Sequence, residues 1–247
     1  MMAAKNDSDM AGAEPATLLA FAGERLRLDP RGVLLHEASR TLVVADLHLE
    51  KGSAFARRGA MLPPYDTLAT LEKLAFIVAE WRPERLVSLG DGFHDTAGAR
   101  LLTGEAADRL EELAARLEWI WVRGNHDETL PSTLPGTVID EIRLGRLTLR
   151  HLPDDTTSGL VAGHLHPVAR VGNRQRRARR PCFIHDRRLL LLPAFGSYTG
   201  GLNVLDAAIA GLFAETATAH IAGETRLFAL PTARLLPDPP DWRRHRL

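Results

Sequence analysis

The chain has 247 residues, of which 45% are hydrophobic and 25% are charged. This is the composition of a globular protein, and it excludes a fibrous repeat and a wholly disordered chain. The 31 basic and 31 acidic side chains balance, so the net charge does not attract the protein to nucleic acid or to an acidic membrane. Only a local basic patch could provide that attraction.

Three features of the sequence favour a cytoplasmic protein. The single cysteine, Cys182, cannot form a disulfide within the chain, which is typical of a reducing compartment. The first 15 residues mix charges and lack the apolar stretch of a secretory signal. No apolar run approaches the roughly 18 residues needed to span a bilayer, so we expect no membrane contact.

The two ends of the chain differ in composition from the part between them. Residues 1–15 are small, polar and mixed in charge, which predicts a disordered tail. Clustered prolines predict a second irregular tail over residues 237–247. We expect a single folded domain over residues 16–236.

In the first half of the chain, apolar strands alternate with amphipathic helices. The predicted order is a strand at 41–45, a helix over 65–81, a strand at 86–89, a helix at about 105–117 and a strand at 119–122. This alternation implies a parallel sheet with crossover helices.

From about residue 138 the strand-like runs follow one another closely, with little room for helices. These runs cover residues 147–149, 160–162, 189–192 and 226–230. A second, more antiparallel sheet packed on the first would explain them, which gives an α/β sandwich in a single domain.

Five consecutive predicted strands end in carboxylate, imidazole or carboxamide side chains. The ends are Asp-Leu-His at 46–48, Gly-Asp-Gly-Phe-His-Asp at 90–95, Gly-Asn-His-Asp at 124–127, His151, and Gly-His-Leu-His at 163–166. Sites in parallel α/β sheets form at the carboxyl ends of strands, so we expect these groups to converge. Residues two apart on an extended segment face the same side. Asp46 and His48 could therefore reach one metal together, and His164 and His166 could likewise face one site.

A Gly-Asn-His-Asp string is expected by chance on the order of 10⁻³ times in a chain of this composition. The five motifs together, in this order, resemble the signature of the calcineurin-like metallophosphoesterases. This resemblance implies a four-layer α/β/β/α sandwich, with two mixed β-sheets flanked by helices, that binds two divalent metal ions. It assigns Asp46, His48 and His166 to one metal and Asn125, His151 and His164 to the other, with Asp91 bridging.

Two cations held roughly 3.5–4 Å apart by a shared carboxylate clamp a phosphoryl group between its attacking and leaving oxygens. Mixed oxygen and imidazole ligands suit manganese, iron, cobalt, nickel or zinc. A hydroxide between the metals would attack phosphorus. His126 follows Asn125 and cannot easily share its metal, so we expect His126 to steady the phosphate and to protonate the leaving oxygen. Asp127 could fix the tautomer of His126 by accepting a ring N–H.

The residues that would bind substrate are less well defined. Many phosphatases of this family carry Asp-Arg-Gly or Asp-Arg-Asn where this chain has residues 94–96, which disfavours a protein phosphatase. His94 has either a substrate role or a loop-packing role. The basic segment 170–188 is either a solvated loop or a contact for the phosphate backbone, with Lys51, Arg57 and Arg58 as a possible extension. Its candidate contacts are Arg170, Arg174, Arg176 and Arg177.

Four further histidines match no motif and are expected to be surface or packing residues: His36, His185, His220 and His245. Tyr198 lies in a glycine-rich turn after a buried strand, where it either packs locally or stacks on a nucleic-acid base.

Additional motifs look like those of the bacterial ligase-associated DNA damage response endonucleases. They cover residues 46–57, 90–95 and 192–201. This resemblance implies a manganese-dependent phosphodiesterase that cuts single-stranded DNA internally, in DNA repair, alongside a DNA ligase and a helicase. A phosphodiesterase of cyclic nucleotides or dinucleotides is an alternative. A non-catalytic interaction module of the same fold is a second one, and the intact set of ligand positions disfavours it.

Overall fold

The computed structural model describes residues 16–59, 65–173, 175–214 and 216–240. The predicted tail at 1–15 lies outside the described residues, as do positions 241–247 of the second predicted tail, Arg174 and His245. Residues 237–240 contain no helix or strand.

Among the described residues, seven strands form the first sheet in the order β1 to β7. Their bounds are β1 Thr17–Phe21, β2 Glu24–Asp29, β3 Val33–His36, β4 Thr41–Ala45, β5 Arg85–Leu89, β6 Glu118–Val122 and β7 Thr137–Ile139. Strands β1 to β4 are antiparallel, and β4 to β7 are parallel to one another.

Helices connect β4 to β5 and β5 to β6, as the alternating pattern predicted, whereas the described segment between β6 and β7 contains no helix. Their bounds are α1 Lys51–Arg57 and α2 Asp66–Trp81 between β4 and β5, and α3 Gly98–Leu101 and α4 Gly104–Ala114 between β5 and β6. Helix α4 ends three residues before the predicted end at 117, and Leu117 still packs against the core beside that helix. Among the described residues, no helix has the length and apolar character needed to cross a bilayer.

The second sheet contains nine strands among the described residues. They are β8 Glu141–Leu144, β9 Leu147–Arg150, β10 Leu160–Ala162, β11 Pro167–Gly172, β12 Arg177–His185, β13 Leu189–Leu191, β14 Leu202–Asn203, β15 Thr218–Ala222 and β16 Leu227–Pro231. Strand β10 runs parallel to β9 and β13, and β11 runs parallel to β14, whereas the other pairs are antiparallel. Both sheets are therefore mixed, as expected.

The apolar side chains form three layers of core. Strand β4 shows why the strands are apolar on both faces: Val43 lies between the two sheets, and Val44 packs under the helices. Leu74 of α2 and Leu110 of α4 cover that outer face of the first sheet. The outer face of the second sheet packs on Ile209 of the short helix α5, Ala207–Ala210. This confirms the α/β/β/α sandwich, with a small fourth layer.

Strands β1, β2 and β3 were not among the predicted elements. In β2, buried Leu26 and Leu28 alternate with Arg25 and Arg27, whose guanidinium groups bind the carboxylate of Glu37. This period of two is the signal by which β2 could have been found. The basic segment, for which a solvated loop was one of two interpretations, contains a hairpin of two strands, β11 and β12. Three consecutive side chains near the end of β12, Cys182, Phe183 and Ile184, are buried and anchor it in the core.

Candidate metal centre

The structure brings the seven predicted ligands together at the carboxyl ends of β4, β5, β6, β9 and β10, as the arrangement of the strands predicts. Six of them form two groups, in each of which the ligand atoms lie within 4.8 Å of one another. The first group is Asp46, His48 and His166, and the second is Asp91, His151 and His164, with Asn125 beside it.

The first group combines residues from two separate parts of the chain, the loop after β4 and the loop after β10. Nε2 of His48 lies 3.2 Å from Nε2 of His166, which in turn lies 3.3 Å from Oδ1 of Asp46. The Nδ1 of His166 is 3.1 Å from the carbonyl oxygen of Gly200, a contact that orients the ring with Nε2 toward Asp46. Two ring nitrogens that lie this close to each other can both coordinate one cation between them.

The second group is built in the same way. Nε2 of His151 lies 3.4 Å from Oδ2 of Asp91, 3.2 Å from Nδ1 of His164 and 2.9 Å from Oδ1 of Asn125. Nδ1 of His151 faces the carbonyl oxygen of Leu89 at 3.3 Å, which leaves Nε2 for the site. The carboxylate, the amide oxygen and the imidazoles fit a borderline divalent ion such as manganese, iron or zinc.

Asp91 lies between the two groups. The same oxygen, Oδ2, is 3.9 Å from Nε2 of His48 and 3.4 Å from Nε2 of His151. Its Oδ1 accepts a hydrogen bond from the backbone N–H of His126 at 3.0 Å, which fixes the carboxylate. The residues present therefore fit two cations with Asp91 as the shared ligand.

The charges of these groups also suit metal binding. Burial lowers the pKa of His48 and of His164, so both rings stay neutral and keep a lone pair for a cation. Burial alone would raise the pKa of Asp91, but the hydrogen bond and charge of His151 outweigh it and lower the pKa to about 2. His151 is the exception: burial disfavours its charged form, but the nearby carboxylates of Asp91 and Asp46 outweigh burial and raise its pKa, so a cation would have to displace this proton.

The backbone of the ligand residues is strained in a regular way. Five of them have left-handed φ angles: Asp46 (53°), His48 (45°), Asp91 (44°), His164 (71°) and His166 (45°). The expectation that residues 46–48 are extended is therefore wrong, and the alternating left-handed residues place both side chains at the site. Such residues cost about 1–3 kcal/mol each and persist where the surroundings hold them. Here Leu47 and Leu49 between and beside them are fully buried.

His126 lies at the mouth of the site. Its Nε2 is 4.0 Å from Oδ2 of Asp91, and its ring stacks on His94 at 5.6 Å between centroids. Nδ1 is 3.0 Å from the carbonyl oxygen of His94, which can accept the ring proton and fix the tautomer. The side chain is 44% exposed, so it can reach a bound substrate.

Asp127 has a different place from the one predicted. Among the described residues its Oδ2 accepts the backbone N–H of Phe93 at 3.1 Å, and its Oδ1 accepts that of Gly124 at 2.9 Å. The contact predicted between Asp127 and the ring of His126 is thus replaced by the His94 carbonyl. Burial raises the pKa of Asp127, and its backbone hydrogen bonds from Phe93, Gly124 and Gly92 oppose that shift. Asp127 joins the loops after β5 and β6, and sequence could not show this because its partners are backbone groups.

His94 lies beside the metal ligands. Its ring lies between Phe55 and His126, 5.7 Å and 5.6 Å from their ring centroids. Burial and the charge of nearby Lys51 lower the pKa of His94. His94, His126 and Lys51 line an open pocket of about 260 Å³ beside the metal ligands, and the other lining residues are His48, His164, Leu165, His166, Gly200, Gly201 and Leu202.

Two of the candidate DNA contacts, Arg176 and Arg177, lie at the end of strand β11 that is remote from His166. Strand β11 starts after His166 and runs away from the site, and Arg177 pairs with Gly172 at its far end. At about 3.3 Å per residue, six residues correspond to roughly 20 Å. Arg176 and Arg177 are exposed at that distant turn.

Other basic side chains have structural partners. Arg170 donates to the carbonyl oxygen of Pro237 at 2.6 Å, which ties β11 to the segment after β16. Arg179 binds the carboxylate of Asp238 at 3.3 Å and the carbonyl of Gly201 at 2.6 Å. Arg57 forms an ion pair with Asp95 at 2.6 Å. Of the basic groups expected near the site, Lys51 is the one that lines the pocket among the described residues.

Comparison with known proteins agrees with this geometry. A sequence model of the calcineurin-like phosphoesterases matches residues 39–193. The crystal structure of the nuclease MPE from Pseudomonas putida is 30% identical, with a TM-score of 0.68, and the match covers 87% of this chain and 100% of that one. YfcE, a phosphoesterase from E. coli, is 16% identical with a TM-score of 0.37, over 77% of this chain and 97% of that one. No curated protein matches this sequence. The match to the family over more than half of the chain, together with the two ligand groups, shows that this protein belongs to the calcineurin-like phosphoesterase family.

Proposed function

We propose that this protein is a two-metal phosphodiesterase that cuts single-stranded DNA internally. The observation that carries the proposal is the position of Asp91 between two groups of ligands, next to an open pocket that His48, His164 and His166 line. That arrangement suits phosphoryl transfer. The likeness to a nuclease over that protein's entire length supports a nucleic-acid substrate. We further propose a cytoplasmic role in DNA repair, with manganese as the metal and with a DNA ligase and a helicase as functional partners.

The residues of the site have separate roles in the proposed reaction. When bound, the two cations would supply positive charge that neutralises the phosphate oxygens and makes the phosphorus atom more electrophilic. Asp46, His48, Asp91, Asn125, His151, His164 and His166 would hold them. His126 donates the proton from Nε2 to the leaving oxygen, while its Nδ1 stays on the carbonyl of His94. His94 would contact the phosphate, and its stacking on His126 supports this role. Asp127 keeps the two loops in register.

The substrate class is tested by comparing hydrolysis of single-stranded, duplex and nicked DNA with that of cyclic nucleotides and dinucleotides. Each substrate is offered with manganese, iron, cobalt, nickel or zinc. We expect internal cuts in single-stranded DNA, with manganese the most effective ion. Turnover of the small diesters without DNA cleavage would instead favour the small-nucleotide enzyme. No hydrolysis of any diester, activated ones included, would favour the non-catalytic module.

The role of His126 is tested by its replacement with alanine. A general acid matters most when the leaving oxygen is a poor one, and such a group contributes roughly 10²–10⁴-fold to the rate. His126→Ala should therefore slow cleavage of DNA, whose leaving group is a sugar alcohol, by about that factor. Hydrolysis of bis(p-nitrophenyl) phosphate, which needs no proton donor, should fall far less. Equal losses on both substrates would remove the general-acid role.

A further inference from the structure

The loop over residues 196–201, here called the rim loop, is held against the metal centre from several sides. The backbone N–H of Gly196 donates to the carbonyl of Asp46 at 3.2 Å, and that of Ser197 donates to Oγ1 of Thr70 at 3.1 Å. The carbonyl of Gly200 faces Nδ1 of His166 at 3.1 Å. Both ends of the rim loop are therefore fixed on residues of the first ligand group.

Tyr198 lies in the middle of the rim loop in an unusual conformation. Its φ angle is 58°, in the left-handed region that bulky residues rarely adopt, and its side chain is 52% exposed. Gly200, two residues away and therefore within about 7 Å along the chain, lines the metal pocket. A strained backbone that displays an aromatic ring to solvent is a feature typical of a functional position.

A cation lies next to this aromatic residue. Nζ of Lys51 donates to the carbonyl oxygen of Tyr198 at 3.0 Å, and Lys51 lines the same pocket. Proteins that bind single strands combine these two elements, a positive charge for the phosphates and an aromatic ring for the bases.

We propose that Tyr198 is a stacking surface for the base next to the scissile phosphate, and that Lys51 contacts the adjoining phosphate. This inference rests on the proposed function, and it gives a reason why the protein would prefer single-stranded DNA to duplex DNA. Every base has a flat face, so stacking tolerates any sequence. In a duplex the neighbouring base pairs already cover those faces, so Tyr198 favours unpaired DNA over duplex DNA.

Two substitutions separate the ring from the backbone. Asparagine tolerates a left-handed φ better than most residues, so Tyr198→Asn removes the ring and keeps the loop. The bond from Lys51 also survives, because it is made to a backbone carbonyl. Tyr198→Phe keeps the ring and serves as the matched control.

Binding is measured by fluorescence anisotropy with a single-stranded phosphorothioate oligonucleotide, which resists hydrolysis, and with an abasic version of the same length. Base stacking contributes about 1–3 kcal/mol per base, which corresponds to roughly 5- to 150-fold in affinity. We expect the manganese-loaded wild type to prefer the oligonucleotide with bases by a factor in this range. Tyr198→Phe should retain that preference, and Tyr198→Asn should lose it. The KM for a cleavable single strand should rise in Tyr198→Asn by a similar factor.

The outcomes distinguish this inference from the proposed function. If Tyr198→Asn prefers bases over abasic sites as strongly as the wild type does, the stacking role is wrong even where DNA is cleaved. If the wild type shows no preference for bases, the stacking role is also wrong. If the preference depends on Tyr198 but DNA is never cleaved, the stacking role stands and the nuclease activity is wrong.

Discussion

Asp91→Asn is expected to lower phosphodiesterase activity by about a thousandfold or more and to reduce the bound metal from about two ions per chain to one or fewer. Oδ2 of Asp91 faces a ring nitrogen of each ligand group, His48 in the first and His151 in the second, so its charge acts on both cation positions. Asparagine has the same shape, and its amide oxygen can still accept the N–H of His126. An amide, however, carries no charge and its nitrogen has no lone pair for a cation. The loss would thus come from metal binding rather than from misfolding.

The measurement pairs elemental analysis of the dialysed protein with hydrolysis of an activated diester. Asp108→Asn is the matched control, since Asp108 is an exposed carboxylate on helix α4, which contributes no metal ligand. The control should keep its metal and its activity. Two bound ions in Asp91→Asn would show that this carboxylate does not bridge, and the arrangement of the metal centre would have to be revised.

The parts of the site that sequence could predict are those that adjoin apolar strands. Residues 46, 91 and 164 each follow a short buried run within one or two positions, so the strand pattern located them. Parallel pairing of β4, β5 and β6 then follows from the intervening helices. These residues are distant in the sequence, but their convergence was predictable because the order and direction of the strands bring the strand ends together. No particular contact between side chains had to be foreseen.

The parts that sequence could not predict depend on backbone geometry. The left-handed φ angles of Asp46 and His48 leave no pattern in the side chains, although histidine and aspartate tolerate them better than most residues do. His126 contacts the backbone carbonyl of His94, and since every residue type has such a carbonyl, the sequence gives no sign of this contact. The direction of β11 depends on the partner strand β12, which the run of arginines obscured, so the sequence did not show that the far end of the basic segment lies away from the metal ligands.

Gly90→Ala should remove most of the activity and also destabilise the fold by about 2–6 kcal/mol. Gly90 has a φ of 76°, and a Cβ atom built there overlaps Nδ1, Cγ and Cβ of His151. The left-handed backbone costs roughly 1–3 kcal/mol with a side chain present, and overpacking of a buried contact costs a further 1–3 kcal/mol. Relief of the overlap requires the ring of His151 to leave its position 3.4 Å from Asp91, so metal binding falls with stability. Chemical denaturation and metal content, measured on the same samples, report the two effects.

Gly104→Ala isolates the part of this effect that comes from the backbone alone. Gly104 also has a left-handed φ, 61°, at the start of α4, but a Cβ atom there meets nothing within 4 Å. Alanine at 104 should therefore cost only the backbone strain, about 1–3 kcal/mol, and should leave metal content unchanged. If Gly90→Ala and Gly104→Ala lose the same stability and both keep their metal, His151 is free to move without cost. The close packing of strand β5 against that ring would then not be what holds the second ligand group in place.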